Sequence, residues 1–108
     1  EEQILIKEAD RILKYIKEGA YIFTLEIQGK QPDSISFSSQ INQLAIEGKS
    51  HIQFIIGGSL GLHQSVSQIS HQAVSFSNMT FPHQLMRVIL LEQIYRSYKI
   101  IRGEPYHK

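Results

Sequence analysis

The chain of 108 residues contains no cysteine. This excludes disulfides and thiolate metal sites, and it makes a cytosolic setting natural. No apolar run approaches the roughly 20 residues that cross a bilayer as a helix. The opening Glu1-Glu2-Gln3 is unlike a signal peptide. Neither charge sign dominates, since 11 Lys and Arg stand against 10 Asp and Glu for a net charge of +1. Gripping nucleic acid through bulk charge is therefore excluded, and RNA binding would need a local basic patch, a partner subunit or further segments. The five histidines, His51, His63, His71, His83 and His107, have no zincin spacing and no acidic neighbour at i+1, so no metal site is expected. A Ser/His/Asp triad pattern, a G-x-G-x-x-G fingerprint and a P-loop lysine are all missing. The absent glycine fingerprint argues against a Rossmann-like nucleotide-binding domain.

What is present fits one globular domain, with 42% hydrophobic and 19% charged residues. Ile4, Leu5, Ala9, Ile12, Leu13 and Ile16 recur at helical spacing, with Gly19 as a plausible stop. The run 21–27 (YIFTLEI) reads as a strand broken by Gly29-Lys30-Gln31-Pro32. A helix over 36–47 follows, capped by Ser34 or Ser36 and ended by Gly48. A strand at 52–56 runs into the turn 57–61, then a short helix at 64–70, a strand at 73–76, a loop at 78–82 and a helix from 83 to about 100. This alternation predicts an α/β fold, a parallel sheet with flanking crossover helices. Three strands are few for such a sheet, so further strands are expected from upstream residues missing here or from another chain.

The last helix is apolar around most of its circumference, with Glu92, Arg96 and Lys99 as a polar stripe and Glu92–Arg96 at favourable i,i+4 spacing. Such a helix must be covered on more than one side. The sheet can cover one side; a second subunit, giving a homodimer, or the rest of a larger chain can cover the other. Arg87, inside the apolar arc, needs a partner or a wet edge.

Gly57-Gly58-Ser59-Leu60-Gly61 links a strand to a helix, where exposed amides can meet a ligand. A tight turn needing glycine for φ > 0 explains it equally. The segment 76–82 (FSNMTFP) ends the third strand, where α/β sheets bind ligands, and can seat an adenine or serve as a plain connection. His83 reads as a helix-start residue. The tail, Arg102 to Lys108, is either a frayed terminus or a set of phosphate- and base-contacting side chains.

Three stretches, TLEIQGK at 24–30, FIIGGSLGL at 54–62 and VSFSNMTFPHQLMRVILLEQIYRSYKIIRGEPYHK at 74–108, resemble the RlmH family. The likeness covers essentially the whole chain, and TFPHQLMRV…RGEPYHK is its most specific part. Members are SPOUT-class enzymes that methylate N3 of a pseudouridine in 23S ribosomal RNA. The resemblance implies S-adenosylmethionine as donor, a C-terminal trefoil knot, a homodimer with its active site at the interface, and a cytoplasmic setting. It also implies that residues 1–108 form a single domain lacking the family's N-terminal strands. Carried over by position, the donor pocket would use Leu25, Gly57 and the loop Phe76, Ser77, Asn78, Met79, Thr80 and Phe81. For the chemistry, His107 is the candidate base, with a water or the donor's carboxylate as lesser alternatives. Arg102 and Tyr106 would hold phosphate and target base. The modest net charge favours an assembled ribosome as substrate over free RNA. The competing reading is an inactive truncated dimerisation or RNA-binding module of the same fold.

Overall fold

A computed structural model describes residues 1–58 and 60–108. The elements are α1 (Glu2–Leu13), β1 (Tyr21–Lys30), α2 (Ser34–Ile46), β2 (Ile52–Ile56), α3 (Gln64–Ser67), β3 (Gln72–Val74) and α4 (His83–Ile101). The strands form one sheet in the order β2-β1-β3, parallel throughout, as the alternation of elements requires. Tyr21 pairs with Ile52 and Leu25 with Ile56 on one side of β1, and Phe23 with Gln72 and Leu25 with Val74 on the other.

Both faces of the central strand are buried, which is why 21–27 carries apolar residues at successive positions. Ile22 joins Ala9, Ala20, Ile55 and Val66 in a core under α1 and α3. Phe23 joins Leu44 and Val74 on the opposite face, with Phe54 stacked on it at 5.0 Å between ring centroids. The period of two along β1 thus sorts its side chains between two cores.

Several local expectations are corrected. β1 does not break at Gly29 but continues to Lys30 through a register shift between Leu25 and Lys30. Glycine permits this, because a Cβ on Gly29 would lie 2.6 Å from the Ala73 carbonyl carbon. The cap of α2 is Asp33, not either serine: its carboxylate accepts from the Ser36 amide at 2.7 Å. The backbone amide donates to a carboxylate held in extended geometry just before the helix, and this holds the Asp33 pKa below the ordinary aspartate value. β3 stops at Val74: the amide of the buried Ser75 still donates to Lys30 O at 2.7 Å, and its hydroxyl donates onward to the Ser77 carbonyl at 2.8 Å. α4 lies chiefly along α2 and only briefly against β2. Leu90 and Ser97 are buried, while Val88, Leu91, Tyr95 and Tyr98 stay exposed at helical spacing, so this stripe is uncovered in the single chain. Arg87 sits at a wet edge.

Candidate functional site

The C-terminal ends of β1 and β2 and the segment after β3 enclose a cleft of about 960 Å³. This lies within the size range of small-molecule sites, and strand C-terminal ends are where open parallel sheets bind ligands. Leu25, Gly57, Phe76, Ser77, Met79, Thr80 and Phe81 line it. Asn78 does not: its side-chain oxygen accepts from Gln31 Nε2 at 2.6 Å. Gln31 also reaches Ser75 Oγ at 3.4 Å, and Ser77 Oγ accepts from the Met79 amide at 2.9 Å. The loop is therefore tied down by these hydrogen bonds while Met79 stays 69% exposed. Phe76 anchors its start edge-on against Phe37, with ring centroids 5.6 Å apart.

Gly57 needs to be glycine, but not for its backbone angles. Among the turn's described residues only Gly61 has positive φ, at 82°. A Cβ on Gly57 would sit 2.8 Å from the Gly61 carbonyl oxygen and 3.0 Å from Leu62 Cδ2. The turn folds back closely enough for the Gly61 amide to donate to Gly58 O at 3.0 Å. Close approach of two backbones is the reason for the glycine.

Two contributors escape the sequence patterns. Gln31 organises the loop from a position that reads as a strand breaker. Glu26 is the one acidic side chain among the described lining residues, which include no Lys or Arg. Thr24 Oγ1 donates to Glu26 Oε2 at 2.7 Å and Ser67 Oγ donates to Oε1 at 3.0 Å. Thr24 is fully buried and Ser67 lies 41 positions away, so only the fold reveals this arrangement.

Arg102, Tyr106 and His107 do not line the cleft. Arg102 is exposed at the end of α4. The tail then folds back on the helix, where Tyr106 donates its hydroxyl to Glu92 Oε2 at 2.9 Å and meets the Tyr95 ring edge-on at 5.1 Å. Arg96 binds Glu92 through NH2 at 2.6 Å and Nε at 3.3 Å, lies over the Tyr106 ring at 4.8 Å, and places NH1 3.1 Å from His107 Nδ1. The Arg96 guanidinium holds the Glu92 carboxyl below the usual carboxylate range, and the bond to that carboxylate raises the Tyr106 phenol. Tyr106 is thus a phenol donor at neutral pH. Arginine can only donate, so Nδ1 of His107 accepts in this contact and the ring proton sits on Nε2. Of the other histidines, His63 caps α3 and His71 Nδ1 accepts from the Ile22 amide at 2.8 Å, while His83 opens α4 and lines the cleft.

Among the described residues no helix is long and apolar enough to cross a membrane, and no group of three metal-ligating side chains occurs. Residues 1–107 match the family model described as "Predicted SPOUT methyltransferase". A Bifidobacterium adolescentis protein named ribosomal RNA large subunit methyltransferase H is 57% identical over 108 residues, covering 100% of this chain and 68% of its own length. An Enterococcus faecalis protein of the same name is 56% identical over 106 residues, 98% of this chain and 67% of its own. A Methanococcus maripaludis protein that bears this name provisionally is 64% identical over 106 residues, with the same coverage.

Proposed function

Because the chain belongs to the SPOUT methyltransferase family, we propose that it methylates large-subunit ribosomal RNA with S-adenosylmethionine as donor, at N3 of a pseudouridine in 23S rRNA. The observation that carries this reading is the cleft at the strand ends, bounded by Leu25, Gly57 and the loop 76–81 in a chain matched by the family model over 1–107. The donor set suits S-adenosylmethionine. Loop backbone and Ser77 and Thr80 hydroxyls can read an adenine edge. Leu25, Phe76, Met79 and Phe81 give it apolar cover, and the close turn at Gly57 keeps the cleft free of a side chain. When bound, the donor supplies an activated methyl on sulfur, so the chain's task is mainly positioning.

The tail is the substrate-facing part of this proposal. Arg102, exposed and always charged, suits a phosphate. Tyr106, with its hydroxyl held by Glu92 and with Arg96 over one ring face, would offer its opposite face to the target base. His107 serves as base once Arg96 releases Nδ1; while that contact lasts, its Nε2–H is a donor for a uracil carbonyl. The tail does not line its own chain's cleft, and the uncovered stripe Val88, Leu91, Tyr95 and Tyr98 lies along the helix that joins them. A homodimer through this stripe covers it, and its two-fold axis can set one tail against the partner's cleft. Residues 1–108 act as one domain in this reading, its knot implied by family membership, and a ribosomal substrate places the protein in the cytoplasm.

The direct test supplies radiolabelled S-adenosylmethionine and bacterial ribosomes lacking the modification. Label is expected in 23S rRNA, with assembled particles labelled better than free RNA. A folded chain that binds donor but labels neither substrate refutes the enzymatic reading. One that binds no donor points to a dimerisation or RNA-binding module.

A further inference from the structure

Resting on the donor-cleft reading above, we propose that Glu26 is the counter-charge for a cationic centre of the donor, its sulfonium or its ammonium. Glu26 is half-buried in β1, just past Leu25 where the register shifts, and lines the cleft. It takes part in none of the ion pairs among the described residues, which join His63 to Glu2, Arg96 to Glu92 and Lys99 to Glu104. A carboxylate withdrawn from water without a cation is costly unless something else offsets it. Here the offset is hydroxyl donors only, Thr24 on Oε2 and Ser67 on Oε1.

These hydroxyls aim the carboxylate without neutralising it. The single Thr24 proton goes to Glu26, so Ser70 Oγ, 2.9 Å from Thr24 Oγ1, is the donor in that second contact. A relay from Ser70 through Thr24 thus ends on one carboxylate oxygen, and Ser67 on α3 fixes the other. Each oxygen keeps further acceptor capacity. No Lys or Arg lines the cleft among the described residues, so a cationic ligand meets one negative charge and no repulsion. S-adenosylmethionine carries two cationic centres, its sulfonium and its ammonium. The proposal requires that at least one lies against Glu26.

Calorimetric titration of the chain with S-adenosylmethionine and with S-adenosylhomocysteine tests this, using wild type and Glu26→Gln, with a thermal melt of each. The expected result is a loss of about tenfold in S-adenosylmethionine affinity in the variant, the scale of one charge-assisted contact. Unchanged affinity for the thioether would assign the contact to the sulfonium. An equal loss for both would assign it to the ammonium. Glu26→Gln binding both ligands like wild type overturns the proposal. Wild type binding neither instead removes the donor-cleft reading beneath it. If Glu26→Gln does not fold, Ser67→Ala decides. It keeps the charge but frees one oxygen, so a fall of about two- to threefold in S-adenosylmethionine affinity supports the proposal. Wild-type affinity there overturns it.

Discussion

Replacing Gly57 by alanine isolates the close approach that shapes the donor side of the cleft. The new methyl would stand 2.8 Å from Gly61 O and 2.9 Å from its carbonyl carbon, where ordinary contact begins at 3.4 Å. An overlap of about 0.6 Å against backbone, not the end of a flexible side chain, cannot be relieved by a rotamer change. Overpacking of this kind costs about 1–3 kcal/mol, which for a chain of this size lowers Tm by about 4–12 °C. The turn must open toward the cleft or away from it, and either movement displaces its lining. S-adenosylmethionine affinity should therefore fall more than about tenfold, or about 1.4 kcal/mol. Gly48→Ala is the matched control. Gly48 ends α2 at φ 81° with no atom within 4 Å of an added Cβ, so its cost is conformational alone. That cost is about 1–2 kcal/mol, with donor affinity untouched. Calorimetric titration alongside thermal melts reads both quantities. Gly57→Ala melting and binding as wild type would refute the reasoning, because the turn would then have room to spare.

Phe23→Ala should remove about 3–5 kcal/mol in a urea melt, a large share of the stability of a small domain, since Phe23 is fully buried between Tyr21, Phe37 and Phe54. Asp33→Ala should lower Tm at neutral pH. The folded Asp33 pKa is depressed, so its contribution is complete above the ordinary value of about 3.9 and is lost as pH falls through the depressed one; the two proteins should converge in acid. Glu92→Gln should release the tail, seen as faster amide hydrogen exchange over 103–108 while α2 keeps its protection. Leu91→Arg, in the uncovered stripe, should convert the proposed homodimer to a monomer in light scattering while the chain stays folded by circular dichroism.

The elements were legible because their signals are local. Period two along 21–25, helical spacing in α1 and α4, and the strand–turn–helix at 52–67 each follow from neighbours in sequence. The misreadings share a cause: they depend on what approaches from elsewhere. Gly29-Lys30 looks like a break until Ala73 and Val74 are seen against it, and only glycine lets them come so near. Gly57 suggests positive φ until Gly61 folds back over it. Ser34 and Ser36 read as caps until Asp33 is seen to accept from the Ser36 amide, and Ser34 is occupied instead with Gln93 on α4 at 2.7 Å. The apolar circumference of α4 was legible, but the side facing α2 was not, because helix-on-helix and helix-on-sheet packing ask for the same residues.

The same division runs through the site. The segments bounding the cleft can be named from the sequence, because a strand end followed by a glycine turn or a polar loop announces itself. The charges that would act there cannot, because their meaning lies in their partners. Glu26 is an ordinary strand acid until Thr24 and Ser67 converge on it. His107 is an attractive base until Arg96 takes its Nδ1. In both cases a second residue decides what the first can do: two hydroxyls leave Glu26 a charge seeking a cation, and one guanidinium makes His107 a donor. A residue type therefore marks where chemistry can occur, while its hydrogen-bond partners fix which way the proton or charge points.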